Sequence, residues 1–377
     1  MRILYDAAMP FAKPLFEQLG QVDSFQAGSL QPADLRDIDV LLVRSTTNVN
    51  ADLLVQANAL KFVATATAGD DHIDKPLLVS RGIEYSNAGG CNAQAVAEYV
   101  LSAILLFHQK KQRSWQQKSV AIVGAGHVGR ALGSLLERMN MSVVYCDPWL
   151  QNEDETRSYV SLDAALQQDI ISLHTPLVEG GKYPTRNLLN ASNMASMQPE
   201  QLLIHACRGG VVNSHALLAM LSKQQFSAII DVWDNEPFID KALVQVADFA
   251  TPHIAGHSLE GKAKGSFILF EWLCKKLAHS TDFDYGSLLP HLEQPLSLPL
   301  GINVQDAIRY LVSQVYDISK DDRVLRDHMA TFDNFAKIRK NYWTRREFSA
   351  VSVKLQKDQE SLELKNAIHA LGFDLVH

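Results

Sequence analysis

Short apolar runs alternate with amphipathic stretches along most of the chain. Residues 2–5 read as a strand, 11–19 as a helix, 39–43 as a buried strand, 51–57 as helix-like and 62–64 as another strand. That alternation predicts a parallel sheet, and ligands of such sheets collect beyond the carboxyl ends of the strands. Two hydroxyl-rich turns, 44–47 and 65–69, fall at such ends and are candidate substrate loops. For any single Ser or Thr in them, ordinary turn capping is an equal reading. After Gly89-Gly90 the pattern becomes one long helix, 93–112, with Val96, Tyr99, Val100, Ala103, Ile104 and Phe107 at helical spacing. Such a helix carries the chain from one domain to the next.

A second βα series follows: strands at 120–123, 142–146, 169–173, 201–205 and 227–231, with helices at 162–167 and 214–221. A late helix, 259–279, is expected to pack back onto the first domain, which is short before the crossing helix. The proline-punctuated stretch 289–299 reads as a linker. Beyond it come a helix at 305–315, an alternating strand at 348–355, a helix at 361–371 and a last strand at 373–376. This tail carries no acid/base constellation of its own, and association between subunits is its expected work.

One stretch implies a ligand. Val120 to Val123 runs into Gly124-Ala-Gly126-His127-Val128-Gly129, which opens a helix reaching to about residue 140. This is the GxGxxG pattern between a strand and a helix. Gly124 serves the tight turn, Gly126 lets backbone N–H groups approach a diphosphate, and Gly129 lets helix and strand pack closely. The helix start favours negative charge. Asp147, ending the next strand, accepts hydrogen bonds from a ribose 2′-hydroxyl and repels a 2′-phosphate, which favours NAD over NADP.

Composition narrows the partners. The 377 residues are 47% hydrophobic and 20% charged, with a net charge of −7, so the chain has no general attraction for nucleic acid or an anionic membrane. The longest apolar run is too short to span a bilayer. Four dispersed cysteines without a CxxC, and a first segment that reads directly as a strand, lead us to expect reduced thiols and a cytoplasmic protein. His253 and His257 have a spacing that binds metal on a helix, but Pro252 and Gly256 oppose a helix there and no third ligand is evident, so no metal is expected. The run 337–346 mixes cations with aromatics, and an interface or an arm reaching phosphate across a dimer is the favoured reading over nucleic acid.

Arg208, Glu236 and His253 follow cofactor-side elements. An arginine fork can grip a carboxylate. A histidine can take the proton of a hydroxyl while hydride leaves the same carbon, and a glutamate can orient and stabilise the imidazolium. Each also has a plain alternative: a surface arginine, a helix-start acid, a buried histidine.

The ordered motifs GAGHVG, Cys-Asp147-Pro, Leu-His-Thr175-Pro, Ala-Cys-Arg208-Gly, Asp231-Val-Trp-Asp-Asn-Glu236-Pro and Pro-His253-Ile-Ala-Gly256 resemble the D-isomer-specific 2-hydroxyacid dehydrogenase family. The resemblance implies an α/β fold: a Rossmann-type NAD domain (93–257), a flavodoxin-like substrate domain (1–92 and 258–285) and a small α+β C-terminal dimerisation domain (286–377). It makes Arg208, Glu236 and His253 catalytic. It puts Gly124, Gly126, His127, Val128, Gly129, Asp147, Thr175, Asp231 and Gly256 around NAD.

The stretches Leu-Val-Arg44-Ser45-Thr, Thr65-Ala-Thr67-Ala-Gly, Ala88-Gly-Gly-Cys-Asn-Ala, Ile-Ala-Gly-His257-Ser-Leu-Glu-Gly-Lys and 339–347 resemble a branch of the family with this tail. That branch oxidises a phosphorylated four-carbon 2-hydroxyacid as a homodimer. By the same match Ser45, Thr67 and His257 contact substrate, His257 standing where a tyrosine is usual. His205 replaces the usual asparagine and could alter the turn presenting Arg208. Arg44, with Arg345 or Arg346, is the expected phosphate ligand. The alternatives are another D-2-hydroxyacid such as 3-phosphoglycerate, or an NADH-sensing corepressor, which the intact trio opposes.

Overall fold

The computed structural model describes residues 1–152, 156–281, 283–292, 294–328, 335–356, 359 and 361–376. It divides into two compact units, residues 1–92 with 258–291 and residues 93–257 with 292–377.

In the first unit, β1 (Arg2–Asp6), α1 (Ala12–Phe16), β2 (Gln21–Phe25), β3 (Val40–Val43), β4 (Phe62–Thr65), α2 (Lys75–Ser80) and β5 (Glu84–Asn87) follow in order. The strands form a parallel sheet ordered β2-β1-β3-β4-β5, the flavodoxin-like order. All four residues of β3 are buried because both sheet faces are covered. The expected helix at 11–19 is only α1, and residues 51–57 close a single 3₁₀ turn, Leu53–Gln56, in place of a helix. β2 and β5 were not foreseen: β2 is an edge strand with only Phe25 buried, and β5 has no buried residue, so neither carries an apolar run.

The second unit begins with α3 (Ala93–Lys110), then β6 (Ser119–Val123), α4 (His127–Arg138), β7 (Ser142–Cys146), α5 (Leu162–Ala165), β8 (Ile170–Leu173), α6 (Ala191–Met194), β9 (Leu202–His205), α7 (Ser214–Ser222), β10 (Ser227–Ile230), α8 (Lys241–Val246) and β11 (Phe249–Ala250). Its parallel sheet is ordered β11-β10-β9-β8-β6-β7. Strand order reverses between β6 and β8, and that switch point is where such sheets open a ligand crevice. α9 (Leu259–Lys276) belongs to the first unit, and its Phe270 meets Phe16 edge-on at 5.9 Å.

The tail contains β12 (Leu296–Ser297), α10 (Val304–Val315), α11 (Ile318–His328), α12 (Phe335–Lys340), β13 (Ser352–Lys354), α13 (Leu362–Leu371) and β14 (Asp374–Val376), with β12-β13-β14 forming a parallel sheet. The stretch read as a linker therefore ends in a strand, and Leu298 beside it is buried. The alternating run at 348–355 yields only the three residues of β13, because Phe348–Ala350 form a 3₁₀ turn. The expected third domain shares one continuous core with α3, α4 and the second sheet. Asp322 of α11 accepts the Ala250 N–H at 2.7 Å, so the tail covers the otherwise open edge strand β11.

Candidate active site

The glycine turn follows from backbone geometry. Gly124 has φ +97°, and a Cβ there would lie 2.7 Å from the His174 carbonyl, just past the neighbouring β8. A Cβ on Gly129 would meet the Gly124 carbonyl oxygen at 2.0 Å, so loop and helix touch backbone to backbone. Gly126 differs: nothing described lies within 4 Å of where its Cβ would be. It starts α4 with no side-chain cap, leaving the first-turn N–H groups at His127 and Val128 for an anion. Asp147 stands beside this loop, accepting the Ala125 N–H at 2.9 Å through Oδ2, with Oδ1 on the Trp149 and Leu150 N–H groups. Thr175 follows β8, its hydroxyl buried next to the Cys207 thiol. An open cradle, an uncapped helix start and an adjacent carboxylate fit a dinucleotide.

Three neighbouring strands, β9, β10 and β11, bring Arg208, Glu236 and His253 to one edge of this unit. The Asp231 carbonyl accepts the His253 N–H at 2.7 Å. The buried Asp231 carboxylate accepts from the Thr251 hydroxyl at 2.7 Å and from Ile254 and Ala255 N–H at 2.8 and 3.0 Å. Its carboxylate thus shapes the loop that bears His253 and the half-buried Gly256. Within that loop His253 has φ 55°, a left-handed conformation that a non-glycine residue keeps only when its surroundings hold it.

His253 Nδ1 lies 2.7 Å from Glu236 Oε2, and Glu236 Oε1 accepts the Trp233 N–H at 2.9 Å. The imidazole is thereby oriented with Nδ1–H toward the carboxylate, leaving Nε2 as the basic nitrogen. Burial alone would raise the Glu236 carboxyl, but the hydrogen bond and charge of His253, the Trp233 N–H and Arg339 hold it below the usual glutamate range. The turn carrying Arg208 is locked to the Glu236 segment: a Cβ on Gly209 would sit 2.1 Å from the Trp233 carbonyl oxygen. Arg208 itself is half-buried and donates to the Cys207 carbonyl at 2.9 Å. His205 is buried with Nε2 3.4 Å from the Gly209 carbonyl, and burial pushes it down to about 4. It is therefore neutral at ordinary pH and spans the turn that presents Arg208.

In the first unit Arg44 follows β3 and donates to the Ala8 carbonyl at 2.8 Å, with Ser45 exposed beside it. The Thr67 hydroxyl donates to the Gly69 carbonyl at 2.8 Å and lies 2.7 Å from the Thr65 hydroxyl, so capping of its own turn accounts for that proton. Lys262, to which the sequence assigned no role, is pushed down to about 8 by burial and by the charge of Arg44. In the second unit the His257 ring meets Tyr342 edge-on at 5.6 Å.

One expectation is overturned. Arg345 is fully buried, donates to the Ala255 and Ala95 carbonyls at 3.1 and 2.6 Å, and lies 4.0 Å over the Tyr316 ring, so it is no phosphate ligand. Arg346 is half-buried. Arg339, with Nη1 4.0 Å from Glu236 Oε2, was given no role; its sequence signals were the basic, aromatic run and its place at the start of the resembling stretch 339–347. Among the described residues no group of three or more His, Cys, Asp or Glu could hold a metal ion, and no helix is long and apolar enough to cross a membrane.

A glycine cradle at the switch point and an imidazole–carboxylate pair at the adjacent strand ends define the NAD-dependent 2-hydroxyacid dehydrogenases. The profile described as D-isomer specific 2-hydroxyacid dehydrogenase, NAD binding domain, matches residues 103–255, and one described as a domain of unknown function matches 288–372. The chain belongs, within that class, to the erythronate-4-phosphate dehydrogenase family. It is 43% identical to the erythronate-4-phosphate dehydrogenase of Pseudoalteromonas atlantica over 99% of this chain and 100% of that one. It is 41% identical to that of Escherichia coli over 100% of this chain and 99% of that one. Among solved structures, its fold is similar to an NAD-dependent formate dehydrogenase from Staphylococcus aureus in complex with NAD (TM-score 0.61, 22% identity, 76% of this chain and 98% of that one). It is also similar to D-lactate dehydrogenase from Aquifex aeolicus (TM-score 0.61, 20% identity, 73% of this chain and 95% of that one).

Proposed function

We propose that this chain oxidises 4-phospho-D-erythronate at C2 to 2-oxo-3-hydroxy-4-phosphobutanoate with NAD, a step of pyridoxal 5′-phosphate (vitamin B6) biosynthesis. The observation that carries the mechanism is the 2.7 Å contact between His253 and Glu236 on the strand end next to Arg208. NAD, when bound, supplies the acceptor for the C2 hydride. Arg208 grips the substrate carboxylate. His253 Nε2 takes the C2 hydroxyl proton as the carbonyl forms, and Glu236 stabilises the resulting imidazolium.

His127 and Val128 N–H groups with Gly124, Gly126 and Gly129 hold the diphosphate, while Asp147, Thr175, Asp231 and Gly256 line the rest of the cofactor site. Ser45, Thr67 and His257 contact substrate, and Arg44 binds its phosphate. The protein works as a cytoplasmic homodimer joined through the tail. Full-length likeness to the erythronate-4-phosphate dehydrogenases supports this substrate.

The test is NAD reduction by the purified protein across phosphorylated and unphosphorylated 2-hydroxyacids. Turnover should be fastest with 4-phospho-D-erythronate. A preference for 3-phosphoglycerate overturns the substrate assignment, and NADH binding without turnover on any of them overturns the enzymatic one.

A further inference from the structure

The tail brings a cation to the proton-transfer pair. Phe335 and Ile338 of α12 pack into the core on one face of the second sheet, together with Leu325 of α11. That anchoring presents Arg339 on the neighbouring turn. Its Nη1 lies 4.0 Å from Glu236 Oε2, the oxygen that also lies 2.7 Å from His253 Nδ1. Its Nε is buried without a hydrogen-bond partner among the described residues, and its guanidinium carbon lies 5.9 Å from the Phe335 ring centroid. The Arg339 side chain keeps 27% of its surface exposed, and an anion beside a half-buried guanidinium offsets what its partial burial costs. Glu236 is that anion.

We infer that Arg339 is a positioning residue for the acid/base pair, steadying the Glu236 carboxylate and offsetting the negative charge it places beside His253. The inference rests on the proposed roles of Glu236 and His253. A carboxylate alone beside an imidazole favours the imidazolium and so makes a poor base at neutral pH. A cation on the carboxylate's other side offsets that pull, because the protonated pair then carries a net positive charge. The other groups around the pair do not supply this cation. His205, beyond β9, is buried and pushed down to about 4; His174, beyond β8, is pushed down to about 3; the Asp231 carboxylate is bound to the loop beneath. Arg208, at the neighbouring strand end, is assigned to the substrate carboxylate. The tail thus supports a pair whose own groups come from the second unit's sheet edge.

The test is the pH profile of kcat/KM for the full-length protein with 4-phospho-D-erythronate and NAD. It compares wild type, Arg339→Gln, Arg339→Lys, Glu236→Gln and the Glu236→Gln/Arg339→Gln pair. For Arg339→Gln the limb on which the base deprotonates should move up by about half a pH unit, with kcat/KM about threefold lower on its acid side and near wild type on its alkaline side. Arg339→Lys should restore the limb. In the Glu236→Gln background the further loss of Arg339 should still move the limb up, because the guanidinium's charge also acts on the imidazole directly. An unshifted limb with a uniform fall in kcat/KM overturns the inference in favour of a purely structural role. A rise in substrate KM alone at every pH overturns it in favour of direct substrate binding. Wild-type rates for Glu236→Gln would instead remove the acid/base pair itself, whatever Arg339→Gln does.

Discussion

His253 sits in a backbone conformation that few side chains adopt, and it does so with its N–H on the Asp231 carbonyl and its ring on Glu236. Strain of this kind persists where the surrounding contacts over-determine it, which ties the ring to one direction. Replacing His253 by Ala or Glu236 by Gln should lower kcat by roughly 10²- to 10⁴-fold. NADH affinity, read by fluorescence titration, should stay near wild type, because neither side chain belongs to the glycine cradle. Asp147 holds the Ala125 N–H, and in the proposed reading it also accepts from the ribose of NAD. Asp147→Ser should therefore raise kcat/KM with NADP relative to NAD while weakening NAD itself. Steady-state assays with both cofactors check this, and an unchanged ratio would remove Asp147 from the cofactor site.

The β6–α4 turn separates two glycine roles that look alike in sequence. At Gly126 a methyl group meets nothing described within 4 Å, whereas at Gly129 it would meet the Gly124 carbonyl oxygen at 2.0 Å. Gly126→Ala should leave the urea midpoint near wild type and raise the Kd for NAD, since the methyl points into the space a diphosphate needs. Gly129→Ala should lower the midpoint by an amount equivalent to about 1–3 kcal/mol, the usual cost of overpacking. Parallel denaturation and NAD titration distinguish the two. Elements with strong apolar periodicity, such as β3, β6, α3 and α9, were legible in the sequence because burial on a defined face imposes that period. β2 and β5 were not legible, since exposed or half-exposed edge strands do not need apolar residues.

Across the molecule, the tail is held to the rest of the second unit by buried charge as well as by apolar packing. Arg345 bridges the Ala95 and Ala255 carbonyls, and the buried Glu98 accepts the Phe348 N–H at 3.0 Å. Burial and the neighbouring Glu347 push Glu98 up to about 8 despite Arg345. The folded chain thus binds that proton more tightly than the unfolded chain. This contribution to stability is present below the unfolded value, near 4.5, and is lost as pH rises through about 8. Glu98→Gln should flatten that decline in urea titrations run from mildly acidic to alkaline pH. Arg345→Met removes the donors to the Ala95 and Ala255 carbonyls and should lower the urea midpoint by an amount equivalent to about 1–3 kcal/mol.

The role of Arg345 could not be read from the chain, because an arginine in a basic run looks solvated until packing buries it. The same limit applies to Arg339 and Glu236, which lie far apart in sequence and meet only through α12. The sequence by itself determined the parallel α/β order, the glycine turn and the acid after the next strand, since these depend on local spacing and on which face is buried. Tertiary structure alone decided which charges share a space, because contact between distant segments is set by how whole elements pack and leaves no mark on either segment's own pattern.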